Sequence, residues 1–191
     1  MRNWILITVI LAVVMGFAVP YCFSDENISG KVGFDDLIAT TSETHLILFG
    51  IINNSFTDEM VSGLKSGVPV DFSFYIELFK KDETSYGERV ADLEFRHTLT
   101  YDTLKDSYRV ELGEDNRILL FKSLEEAQKI MGEVNGVRVT HLSRLAPDNS
   151  YQLKIRADLF EKTLPMSLHR ILPFVTWWDR ETDWHTLEFN Y

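Results

Sequence analysis

Alternation of apolar and polar side chains restricts this chain more than any other feature. From Val70 onward Phe72, Phe74, Ile76 and Leu78 are apolar, while Asp71, Ser73 and Glu77 between them are polar. Successive side chains of an extended backbone point to opposite faces, so this pattern buries one face of a strand and leaves Tyr75 and Phe79 on the other. Tyr151, Leu153, Ile155, Ala157 and Leu159 alternate just as regularly with Gln152, Lys154, Arg156 and Asp158. Shorter runs of the same kind fall at His45–Ile52, Leu93–Leu99, Tyr108–Leu112, Ile118–Phe121 and Val137–Leu142, with weaker ones at Phe34–Thr40 and Trp184–Phe189. Eight or nine short strands separated by Gly, Asn and Asp turns predict a mainly β fold. An antiparallel β-sandwich or open barrel of about eight strands, with one or two short helices, satisfies that pattern.

The helices have their own signals. Ser123 followed by Glu126 forms a capping box, and Leu124, Ala127, Ile130, Met131 and Val134 follow at helical spacing, with Gly136 just past the expected end. Thr57–Leu64, with Asp58 and Glu59 in its first turn, predicts a second short helix ending at Gly63 or Gly67. Leu164–Leu172, between Pro165 and Pro173, is the weakest helical candidate.

The N-terminus has a different character. Met1-Arg2-Asn3 precedes the run Trp4–Val19, broken only by Thr8 and Gly16 and followed by Pro20. A positive start, an apolar run and a small-residue or proline exit make a secretory signal peptide the favoured reading of residues 1–24. A retained N-terminal membrane anchor is the alternative, because a spanning helix needs about 20 apolar residues and this run reaches that only by borrowing Pro20–Phe23. Val19-Pro20-Tyr21 ahead of Cys22 lacks the small residues of a lipidation site. Either way residues 25–191 are expected to form a single exported β-rich domain, periplasmic or held at the inner membrane. No repeat or linker divides them.

The formal charge is −10, from 19 Lys+Arg against 29 Asp+Glu. Phosphate backbones demand a basic stripe, so nucleic acid is excluded as a partner. Cys22 is the only cysteine, which excludes an internal disulfide framework and a cysteine zinc site. The five histidines form neither His-x-His nor His-Glu-x-x-His. His97 shares strand parity with Leu93, Phe95 and Leu99, and His141 with Val137 and Val139. Both are therefore expected to be hydrogen-bonded core or boundary residues and not metal ligands. No Gly-x-Ser-x-Gly elbow and no phosphate-cradling glycine loop occur. The carboxylate pairs Asp35/Asp36, Glu114/Asp115 and Glu125/Glu126 read as loop or solvated helix-end residues. No catalytic, cofactor-binding or metal-binding residue is assigned.

Chemistry concentrates instead at Thr176–His185, where three of the four tryptophans lie within eight residues beside three acids and one arginine. Trp178, Asp179, Arg180 and Trp184 form the candidate binding patch, since exposed rings beside carboxylates make sugar or peptide platforms and Arg180 has rings to stack on. Adjacent Trp177 and Trp178 point to opposite faces of an extended chain, with Trp178 expected outward.

The order of features resembles a known family. Leu64-Lys-Ser-Gly67-Val-Pro69-Val leads into the aromatic strand Phe72–Leu78. Leu99-Thr-Tyr101-Asp-Thr-Leu104 and Tyr108-Arg-Val110 follow, then the capped helix from Ser123. Tyr151-Gln-Leu-Lys-Ile-Arg156-Ala157-Asp-Leu159 comes next, and a Trp-containing tail closes the chain. This order is similar to the uncharacterised bacterial envelope family known as domain of unknown function 4390, across residues 30–190. The resemblance implies an envelope location and transfers no catalytic or binding residue. The function expected is a non-catalytic exported envelope domain that engages another envelope protein or a cell-wall component. A β-domain binding a small apolar or lipid ligand is the alternative, on the aromatic load of Phe72, Phe74, Tyr75 and Phe79. An enzyme ranks last.

Overall fold

The computed structural model describes residues 31–82, 86–159 and 180–191. The candidate helix Leu164–Leu172, the N-terminal segment 1–24, and Trp177, Trp178 and Asp179 lie outside the described residues. The described strands pair antiparallel throughout, in two sheets that do not close into a barrel. The smaller sheet holds β1 (Gly33–Thr41), β2 (His45–Asn53) and β7 (Glu133–His141), in the order β1-β2-β7. The larger contains β3 (Val70–Lys81), β4 (Tyr86–Asp102), β5 (Ser107–Leu112), β6 (Arg117–Phe121), β8 (Ser150–Leu159), the two-residue β9 (Arg180–Glu181) and β10 (His185–Asn190). Its order is β10-β8-β3-β4-β5-β6, with β9 beside β10 on the same edge of β8.

The expected periodicity governs the core. Phe72, Phe74, Ile76 and Leu78 are fully buried, as are Leu153, Ile155, Ala157 and Leu159 on neighbouring β8. Leu46, Leu48 and Ile52 face them from β2, and Phe34 reaches across from β1 to Phe74, ring centroids 6.5 Å apart. Two helices close the remaining core surface. In α1 (Asp58–Lys65) the Thr57 side chain caps the N-terminus by accepting from the Met60 N–H, and Met60 and Leu64 are buried. In α2 (Leu124–Met131) Ser123 caps through the Glu126 N–H, and Ala127 and Met131 pack toward β4, β5 and β6.

Several local expectations are corrected. The second helix ends at Met131 with Gly132 as its cap, so Val134 belongs to β7. Gly136 lies inside β7 at φ +77°, where it takes a conformation that a side chain disfavours. Asp35 and Asp36 are in β1, at an irregularity of its pairing with β2. Ser73, on the polar parity of β3, is only 1% exposed, and Asp71 on the same face is also buried. Alternation marks which side chains face the apolar core; it does not report whether the other face is covered. His97 is buried and hydrogen-bonded as expected, whereas His141 is exposed at the end of β7, where its ring meets that of His45 edge-on.

Candidate functional site

The polar face of the larger sheet positions one end of the tryptophan-rich segment. The chain returns along β8 in two short pieces, β9 and β10, with Thr182 between them. The Thr182 N–H donates to the Ala157 carbonyl at 2.9 Å, and its hydroxyl accepts from the Ala157 N–H at 3.0 Å. One buried side chain thereby replaces a missing ladder rung and fixes where the next residues emerge.

Trp184 emerges there, 43% exposed. The Arg156 guanidinium lies 5.4 Å from its ring centroid and 5.1 Å from that of Tyr75 on β3, bridging the two rings. Arg156 also meets Glu181 and Asp158 at 3.4 and 3.5 Å. Strand register places Arg156, Tyr75 and Glu94 side by side across β8, β3 and β4. A second cation–ring contact sets the Lys154 ammonium 5.5 Å from the Phe79 ring centroid. Of the four expected patch residues, Arg180 is half-buried in β9 and Trp184 stands at the edge of β10, while Trp178 and Asp179 lie outside the described residues. The partners that sequence reasoning missed are Arg156 and Tyr75. Their signal was an aromatic and an arginine on the polar parity of strands that only the fold makes neighbours.

Ion pairs hold the surrounding segment. The Lys31 ammonium bonds to the Asp183 carboxylate and keeps that carboxyl below its ordinary range. Lys81 does the same to Glu188, at 2.8 Å. The platform therefore has one end of its backbone fixed by Thr182 and exposed ion pairs along its flanks. Such an arrangement suits a flat or chain-like polar group, a peptide or a glycan, that stacks on the ring and bonds to the acids beside it.

The second concentration of chemistry is internal. His97 on β4 has no exposed surface; its Nδ1 donates to the Met131 carbonyl at 3.0 Å, and its Nε2 lies 2.9 Å from Glu114 Oε2. A carbonyl only accepts, so the Nε2–Glu114 contact shares one further proton between ring and carboxyl. Glu114, 9% exposed at its side chain, is thus not the solvated loop acid expected. The pair ties β4 to the end of α2 and to the turn before β6. Among the described residues no three His, Cys, Asp or Glu side chains converge as metal ligands, and no helix is long and apolar enough to cross a membrane.

Among the described residues, clefts lie along the seams between the sheets. One, of about 280 Å3, lies between β1 and the start of β10 and includes Lys31, Asp35, Asp183 and His185. Another, of about 400 Å3, separates β4 from β7 and is lined by Phe95, Glu94, Glu114, Val137 and Arg138 among others. Neither is lined by Phe72, Phe74, Tyr75 or Phe79.

Two antiparallel sheets over one apolar core, carrying a cation–aromatic row on the polar face, define a mainly β domain of the sandwich-like class. The chain belongs to the family described as Domain of unknown function (DUF4390), whose model matches residues 31–188. No curated protein and no solved structure matches it.

Proposed function

We propose that this chain is a non-catalytic, exported envelope domain that binds another envelope protein or a cell-wall component. The observation that carries this reading is the Trp184 ring, partly exposed yet held by Arg156, which itself packs on Tyr75. Rings that are both exposed and preorganised are typical anchors of binding, because little side-chain entropy is lost when a partner covers them. Phe72 and Phe74 are fully used by the core, and Tyr75 and Phe79 carry cations, so the rings behind the apolar-ligand alternative have other partners. Crosslinking the full chain in its native envelope and recovering what is attached tests the proposal. Trp184→Ala is expected to weaken the captured contact by about 2 kcal/mol or more while costing under about 1 kcal/mol of stability. Capture that is indifferent to Trp184→Ala overturns the assignment of the patch.

A further inference from the structure

We propose that the seam between β4 and β7 receives an extended segment of a partner protein, one that alternates apolar and basic side chains and adds a strand to the edge of β4 that no described strand pairs. The seventeen-residue β4 far outruns its neighbour β5, which has six residues and pairs only with His97–Asp102. The ladder stops at Gly113, whose N–H donates to the Arg96 carbonyl at 2.8 Å. A Cβ on Gly113 would lie 2.6 Å from that carbonyl oxygen, so only glycine lets the chain turn away here. Below this point β3 holds one edge of β4, and no described strand pairs with the other.

Since the Arg96 carbonyl faces the β5 side, antiparallel parity puts the N–H and C=O of Glu94 and Asp92 on that same side, where no described strand pairs with them. A row of unpaired backbone groups is a template for a further strand. The side chains beside it specify which strand fits. Leu93 and Phe95 face the core and call for apolar partners across the new pair. Glu94 and Asp92 alternate with them on the outer face, and Glu94 calls for a basic one. The cleft of about 400 Å3 adjoins this edge, with Glu114 and Asp115 at its rim and Arg138 opposite. Asp115 is already paired with Arg117, and Asp92 with Arg89 at 2.6 Å, whereas Glu94 has no ion-pair partner among the described residues. The overall charge of −10 favours the same choice of partner. The His97 clasp to Met131 pins β4 at the head of β7, so the occupant takes the place alongside β4 that β5 vacates at Gly113. The proposal concerns a backbone edge and does not require the Trp184 platform.

The probe is a synthetic peptide alternating valine and lysine, compared with its valine–glutamate counterpart, titrated into the full chain while backbone amide exchange is followed. The valine–lysine peptide is expected to bind and to slow exchange at the Asp92 and Glu94 amides roughly tenfold or more. The acidic peptide is expected to do neither. Glu94→Lys, a surface substitution that leaves the backbone intact, should weaken the basic peptide about fivefold. Asp92→Pro, which removes one outward N–H, should abolish protection at Glu94. Equal binding of both peptides, absence of binding, or binding without protection at these amides would overturn the proposal. Strong protection of Asp92 and Glu94 before any peptide is added would do so as well, because the edge would then already be occupied.

Discussion

Phe74 and Ser73 are adjacent on β3, both are buried, and they are buried for different reasons. Phe74 stacks with Phe95 at 4.9 Å and is packed by Phe34 and His97, so Phe74→Ala should cost about 3–5 kcal/mol in urea denaturation. Alternation alone would treat Ser73 as a solvated position with a negligible alanine cost. Its 1% exposure changes that expectation to about 1 kcal/mol, the net worth of an ordinary buried hydroxyl bond. A Ser73→Ala variant indistinguishable in stability from the parent would show that this face behaves as solvated. His97 and Glu114 make the same point about charge. His97→Leu leaves a buried carboxylate without its donor and should destabilise by about 1–3 kcal/mol. Removing both partners, as His97→Leu with Glu114→Leu, should recover part of that loss, because no orphan charge remains. A double variant weaker than the sum of its parts would contradict this account.

At the scale of elements, the consequential events are terminations. α2 stops at Met131, which frees the carbonyl that His97 binds and lets β7 begin two residues later. β5 ends at Leu112 before Gly113, which leaves that stretch of the β4 edge without a described strand beside it and swings Glu114 against His97. β9 and β10 are kept as separate pieces on β8 by Thr182, whose hydroxyl satisfies the Ala157 N–H. Thr182→Ala should therefore cost about 1–3 kcal/mol and accelerate amide exchange at Ala157, since a buried donor loses its acceptor. Unchanged exchange at Ala157 would mean that Thr182 does not hold this end of the Trp184 platform. The helix starts were visible from the residues themselves, as Thr57 and Ser123 both cap as their neighbours imply. The ends were not: Val134 fits a helical face as well as a strand face, and pairing with β2 decides between them.

For the molecule as a whole, export is a proposal that rests on the apolar run Trp4–Val19 and the single charge Arg2 before it. A reporter fused after Asp25 is expected to be active only outside the cytoplasm, and mass spectrometry of the mature protein should find an N-terminus between Pro20 and Glu26. Activity inside the cytoplasm would remove the export argument, and an intact Met1 would select the anchor over the cleaved signal. The sequence by itself determined the strand-rich class, the face that β3 and β8 turn to the core, both helix starts and the family. Those properties depend on spacing within one segment, and periodicity reports spacing directly. Only the tertiary structure decided that Arg156 bridges Tyr75 and Trp184, that Glu114 is buried on His97, and that β4 outruns β5. Each of these joins residues from separate strands or turns, and register between strands depends on the packing of the whole core, which no local pattern encodes.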